Sequence, residues 1–290
     1  MHVLIIIIAA VFCFIANATA DYLSGRMAAE KLGRDGQQQE AVAAFTSLAA
    51  EAKSDFQKSD ALEQAAAWAG ALKQYDQALE LAKQIPLPAS SKYCRMKILL
   101  ESGKHKELIA EFKDENFEEW PESLVGNGYY SRGSAYRAAG NAEAAAKDLE
   151  RTLGNIDPDG FFHVRVLNEL GGVYQALKQE DKALEAHRQV VNASAYKGIY
   201  TFCQSVVTAS NMLIRQGKYD EALAEIKKFD PLPASGTYRT QALEIYGDIF
   251  AGQGKKEEAL AKYKEALQDK GISKNAADNL NKKISEISGT

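Results

Sequence analysis

GNAEAAAKDL (140–149), KQEDKALEAH (178–187), GKYDEALAEI (217–226) and GKKEEALAKY (254–263) are four spellings of one ten-residue pattern. A Gly or Lys opens it, polar residues follow, a small residue stands five positions after the opening and a bulky one four further on. Three looser copies come earlier: GQQQEAVAAF (36–45), KQYDQALELA (73–82) and GKHKELIAEF (103–112). The small positions are Ala41, Ala78, Leu108, Ala145, Ala183, Ala222 and Ala259, spaced by 37, 30, 37, 38, 39 and 37 residues. A turn residue, a polar first turn and an apolar stripe at i, i+1, i+4 mark the start of an amphipathic helix. Recurrence at this period predicts stacked helical hairpins, each burying its apolar face only against its neighbours.

Upstream of each copy lies a second helical stretch. Its close-packing positions are Ala29, Ala66, Met96, Gly133, Gly171, Ser210 and Gly247, followed three residues on by Leu32, Ala69, Leu99, Tyr136, Tyr174, Leu213 and Phe250. A small side chain at a crossing lets two helices approach, and the bulky residue one turn away fills the adjoining groove. The pattern resembles tetratricopeptide repeats over about residues 22–270, best at Gly133-x-x-Tyr136 with Ala145, Gly171-x-x-Tyr174 with Ala183, and Gly247-x-x-Phe250 with Ala259. The resemblance implies an all-α, right-handed tetratricopeptide-like α-solenoid of about seven hairpins over 21–272. Residues 273–290 are read as a capping helix and tail, with Ala277, Leu280, Ile284 and Ile287 on one face.

Departures from the pattern carry their own expectations. Leu108 at a small position, after a step of 30 residues, predicts a shortened or tilted third hairpin. PLPAS at 86–90 and again at 231–235 should stop second helices and set stiff turns. Segments 116–127 and 156–163 read as least helical, and their Phe117, Trp120, Phe161 and Phe162 are expected to pack over hairpin junctions.

Val3 to Ala16 is an unbroken apolar run of 14 residues, followed by Ala18-Thr19-Ala20 and the polar start Asp21. At about 1.5 Å per residue the run falls short of a ~30 Å bilayer core, and a small-x-small triplet after it fits signal cleavage. Residues 1–20 are therefore read as a secretory signal peptide, with an uncleaved N-terminal membrane anchor as the alternative. No integral span is expected after cleavage. The mature chain keeps Cys94 and Cys203, three periods apart; hairpins stacked at roughly 10 Å per layer put them beyond disulfide reach.

A net charge of −4, with acidic and basic residues interspersed, argues against nucleic acid as a partner. The mature histidines His105, His163 and His187 fall in different repeats, and there is no HExxH, EF-hand, P-loop or GxSxG pattern. No metal, cofactor or catalytic residue is read, and the chain is expected to be no enzyme. In tetratricopeptide arrays the first helix of each hairpin lines a concave groove, so the resemblance places Tyr93, Lys97, Asn127, Tyr130, Arg137, Arg165, Asn168, Gln175, Gln204 and Asn211 there as partner-binding residues. Arg26 and Glu30 stand at one end of the series, Glu244 and Asp248 at the other. The Lys/Asn/Arg series of the chaperone-tail carboxylate clamp is not matched. The resulting expectation is an exported scaffold or adaptor, periplasmic or secreted, that binds a protein or peptide in this groove. A glycan- or peptidoglycan-binding protein stacking sugars on Tyr93, Tyr130 and Trp120, or a non-catalytic regulatory subunit of an envelope enzyme, are the alternatives.

Overall fold

A computed structural model describes residues 20–193, 195 and 198–289; the predicted signal segment lies almost wholly outside them. Among the described residues the ordered elements are helices. They alternate as first and second members of seven hairpins: α1 (20–34) with α2 (Gln38–Glu51), α3 (Asp55–Ala71) with α4 (Tyr75–Lys83), and α5 (Pro88–Glu101) with α6 (His105–Phe112). The series continues with α7 (Glu122–Ala138) and α8 (Ala142–Leu153), α9 (Phe161–Ala176) and α10 (Glu180–Asn192), α11 (Tyr200–Arg215) and α12 (Tyr219–Ile226), then α13 (Thr237–Gly252) and α14 (Lys256–Leu267). A last helix, α15 (Lys274–Ser288), follows. The chain divides into two compact units, Met1–Asn155 and Ile156–Thr290. The expected all-α repeat fold is present.

One turn, made seven times, joins the members of each hairpin. The residue that opens the sequence pattern takes positive φ: Gly36, Gly103, Gly140, Gly217 and Gly254 at 71° to 89°, and Lys73 and Lys178 at 60° and 58°. The next N–H reaches five residues back: Gln37 to Leu32, Gln74 to Ala69, Lys104 to Leu99, Asn141 to Tyr136, Gln179 to Tyr174, Lys218 to Leu213 and Lys255 to Phe250, all at 2.8–2.9 Å. This is the Schellman arrangement, which satisfies carbonyls that a helix end would otherwise leave open. Six of the seven acceptors are bulky residues of the first helices, Ala69 being the exception, so at those turns the residue that packs the crossing also closes the helix.

The crossings follow from side-chain size. All seven small positions of the second helices, Leu108 included, have no exposed surface. A Cβ placed on Gly133 would sit 3.2 Å from Leu149, one on Gly171 2.7 Å from His187, and one on Gly247 2.3 Å from the Tyr263 ring. Leu149, His187 and Tyr263 are the bulky residues four positions after Ala145, Ala183 and Ala259, so a missing side chain on one helix is filled by a large one on the other. In the third hairpin Met96 and Leu108 occupy the paired positions, both fully buried, and α6 is only eight residues long.

The segment 116–127 is partly a correction. Phe117–Glu119 forms a 3₁₀ turn and α7 already begins at Glu122, so only its first half is non-helical. Phe117 and Trp120 are buried as expected: Phe117 meets Trp120 and Tyr129 edge-on with centroids 4.9 Å apart, over Gly128, whose absent Cβ leaves room for the ring. Phe161, by contrast, is 51 % exposed at the start of α9. Pro88 is the first residue of α5, where its missing N–H costs nothing; the second PLPAS copy stays outside helix until Thr237. Cys94 and Cys203 are both buried and free.

Two outcomes test this packing. Lys178→Gly should stabilise the protein by about 1 kcal/mol in urea unfolding, because the left-handed conformation is strained for lysine and not for glycine. Gly171→Leu should destabilise it by about 1–3 kcal/mol in the same assay by overfilling the His187 crossing.

Candidate functional site

In the N-terminal unit α5 and α7 bring Tyr93, Lys97 and Asn127 together. The Tyr93 hydroxyl donates to Asn127 Oδ1 at 3.4 Å, the Lys97 ammonium lies 5.8 Å from the Tyr93 ring centroid, and Asn127 Nδ2 donates to the Ser123 carbonyl at 2.9 Å. Lys97 and Arg137 are exposed. Tyr130 is buried within the helix packing, at 9 % exposure, so it offers a partner almost no surface. Trp120 is buried too, its Nε1 donating to Glu115 at 2.9 Å. Of the three aromatics that could stack on a sugar, only Tyr93 remains partly open. On the same helix series Arg26 Nε pairs with Asp60 at 2.8 Å and also with Glu30, while the Tyr22 hydroxyl donates to Asp60 at 2.7 Å. Burial and the neighbouring Asp60 push the Tyr22 phenol well above its ordinary range. Between these groups Glu63 is half-buried; burial raises its carboxyl, and a hydrogen bond from Ser90 partly offsets the rise.

In the C-terminal unit the predicted amides form a relay. Asn168 Nδ2 donates to Gln204 Oε1 at 3.2 Å, the Ser205 hydroxyl donates to Asn168 Oδ1 at 3.0 Å and sits 3.2 Å from His187 Nδ1, and Gln175 Nε2 lies 3.1 Å from His187 Nε2. The face thus rests on a buried imidazole that sequence reading set aside. Burial drives His187 down to about 4, so it is neutral at physiological pH. Asn211 is half-buried on α11, and Arg165 is 54 % exposed on α9, its Nε 3.7 Å from Glu169. The acidic end is not open: from α15, Lys283 Nζ reaches Glu244 at 2.6 Å and Asp248 at 2.7 Å, and Asn279 Nδ2 donates to Glu244 at 2.7 Å. Burial opposes the Lys283 charge, but the two carboxylates outweigh it and hold its pKa above the ordinary value.

The partner pairs Arg26–Asp60, Tyr93–Asn127, Asn168–Gln204 and Glu244–Asn279 are 34 to 36 residues apart, one repeat each. The polar face is a ladder whose rungs join consecutive first helices within each unit. Residues 178–289 match the sequence profile of the tetratricopeptide repeat-like domain. The C-terminal part of a tetratricopeptide repeat-containing protein from Cytophaga hutchinsonii superposes with a TM-score of 0.63 at 20% identity, covering 88% of this chain and 99% of that one. A tetratricopeptide repeat protein from Parabacteroides merdae gives 0.50 at 14%, covering 93% and 99%, and PilF from Pseudomonas aeruginosa 0.51 at 13%, covering 77% and 97%. The chain has the tetratricopeptide-repeat fold. No curated protein matches it in sequence.

Among the described residues of this tetratricopeptide array, no group of three or more His, Cys, Asp or Glu side chains is placed to hold a metal. Burial pushes the Cys94 thiol up to about 12 and raises Cys203 as well, so neither is a poised thiolate. The most heavily bonded charge is one that sequence reading did not single out. Arg132 on α7 is buried, meets Asp148 of α8 through Nε and Nη2 at 2.7 and 2.9 Å, and donates from Nη1 to the carbonyls of Phe112, Lys113 and Glu115 at 2.9, 3.2 and 3.1 Å. Its guanidinium also covers the Phe117 ring at 4.6 Å.

Two measurements follow. Asp148→Ala leaves Arg132 buried without its counter-charge and should cost about 3–5 kcal/mol in urea unfolding. His187 has a folded pKa depressed below the unfolded value of about 6.5, so the unfolded chain binds more protons below that pH. Stability should fall as pH drops from about 6.5 toward 4, by on the order of 3 kcal/mol, and a His187→Gln variant should lack that part of the slope.

Proposed function

We propose that this chain is an exported, non-catalytic scaffold or adaptor of the cell envelope that holds a protein or peptide along the faces of its first helices. Tetratricopeptide folds are generally suited to protein–protein interaction, and no helix among the described residues is long and apolar enough to cross a membrane. The observation that carries the reading is the polar ladder. Tyr93 with Asn127, and Asn168 with Gln204, are amide and phenol groups held in register by their neighbours, so little side-chain freedom is left to lose when a partner's backbone docks. Lys97, Arg137 and Arg165 add exposed cations to the same helix series. The burial of Trp120 and Tyr130 removes most of the stacking surface that a glycan would need.

Export is supported by the sequence alone: a 14-residue apolar run and the Ala18-Thr19-Ala20 triplet. N-terminal sequencing of the protein recovered from the envelope should begin at Asp21, and recovery of an intact apolar segment would overturn cleavage. For binding, mature protein immobilised against envelope extract should retain a defined protein that a Lys97→Ala, Asn127→Ala, Arg165→Ala variant releases. These changes should alter unfolding stability by no more than about 0.5 kcal/mol each. Equal retention by the variant, or co-sedimentation with isolated cell-wall sacculi in place of protein capture, would overturn the reading.

A further inference from the structure

The N-terminal unit has a second built surface on the other side of α7. Tyr129, Arg132 and Tyr136 project from a face about 140° round the helix from Asn127, Tyr130 and Arg137, at ~100° per residue. With loop residues 113–116 and with Ala144, Lys147, Asp148 and Arg151 of α8 they line a cavity of 340 Å³. The floor is fixed: Arg132 ties the carbonyls of Phe112, Lys113 and Glu115 to Asp148 through five hydrogen bonds, which holds the loop against both helices. Tyr129 is held as well, its hydroxyl donating to Glu118 at 2.9 Å and accepting from Arg151 Nη1 at 2.5 Å.

The charges around this cavity do not cancel. Four cations, Lys113, Arg132, Lys147 and Arg151, face three carboxylates, Asp114, Glu115 and Asp148. Asp148 is committed to Arg132, and Glu115 accepts from Lys92 at 2.7 Å and from Trp120 at 2.9 Å. Burial alone would raise the Glu115 carboxyl, but those two donors outweigh it and keep it ionised and occupied. Asp114 is 89 % exposed and 3.9 Å from Lys113, a loose contact screened by water. Lys147 is exposed and forms no ion pair among the described residues, and Arg151 is half-exposed, 3.6 Å from Glu118. What remains is a single excess positive charge at the mouth of a rigid cavity with Tyr136 on its wall. A dianion would meet Asp114 and Glu115 without full compensation, whereas a monoanion matches the excess.

We propose that this cavity binds one carboxylate of a peptide, with Lys147 and Arg151 contacting the anion and Tyr136 walling the group that carries it, above a floor that Tyr129 and Arg132 hold in place. The proposal rests on the scaffold reading for the nature of its ligand but uses a different face of the unit. The source of the carboxylate, an acidic side chain or a chain terminus, is distinguished by the probes. Mature protein labelled with ¹⁵N is titrated by NMR with acetyl-Ala-Ala-Glu-amide, acetyl-Ala-Ala-Ala free acid, acetyl-Ala-Ala-Ala-amide and inorganic phosphate. One of the two monoanions should shift the Arg151 Nε–Hε and Tyr129 signals, the neutral amide should not, and phosphate should bind more weakly than the better monoanion. Lys147→Ala, and separately Arg151→Gln, should each weaken that binding by about tenfold, charge-assisted contacts being the strong ones. Lys97→Ala should leave it unchanged. Absence of shifts with both monoanions, equal binding by both cavity variants, or tighter binding of phosphate would overturn the carboxylate site. Shifts confined to Lys97 and Asn127 would do so as well, while leaving the first-helix reading standing.

Discussion

Each hairpin depends on one backbone event, a single residue in the left-handed region followed by an N–H that reaches back five positions. It reverses the chain within two residues, closes the first helix and fixes where the second begins. Because at six of the seven turns the carbonyl it uses belongs to the bulky crossing residue, the depth of the crossing and the position of the turn cannot vary independently there. Glycine meets the demand without strain at five turns. Lysine meets it at Lys73 and Lys178, where packing of the flanking helices holds a conformation that lysine would seldom choose.

That constraint explains why so much of the fold was legible. The turn residue, the small residue and the bulky residue are local, and their spacing repeats with the structure, so boundaries such as Gly140/Ala142 and Gly254/Lys256 could be read directly. Even the loose third copy obeyed, with Leu108 buried as completely as the alanines around it. What was less legible is what interrupts the repeat. Glu122 to Asn127 reads as irregular because of its proline and glycine neighbours, yet Pro121 stands just ahead of the first turn of α7, and Gly126 and Gly128 are buried, Gly128 beneath the Phe117 ring, rather than exposed as breakers.

The candidate face was legible as a face but not as a depth profile. Register alone put Tyr130 beside Asn127, and nothing in the spacing shows that one phenol is enclosed while Tyr93 stays partly open. Glu244 and Asp248 looked like an acidic patch because their counter-charge, Lys283, belongs to a helix outside the repeat. A signal for it existed: Asn279 and Lys283 are one turn apart on α15 and one period beyond Glu244. Arg132 gave no such signal. Between Ser131 and Gly133 it reads as an ordinary surface charge, and only the fold brings Asp148 and three loop carbonyls around it. His187 could have been found, since it occupies the bulky position four residues after Ala183, where a core side chain was already expected.

The ion cluster on α15 also bears on how such a protein can lengthen. Repeat arrays grow by copying a hairpin, and a copied hairpin inserted after α14 would have to present a cation and an amide at the places of Lys283 and Asn279. None of the earlier first helices carries both at the matching positions, where the pairs are Arg26/Glu30, Glu63/Ala67, Tyr93/Lys97, Tyr130/Ser134, Asn168/Gly172 and Val207/Asn211. An eighth unit made by simple duplication would therefore lack the cation, the amide or both that Glu244 and Asp248 meet on α15. The terminal helix thus acts as a stop on expansion as well as a cover for the last repeat, and new units would be accommodated more readily inside the series than at this end.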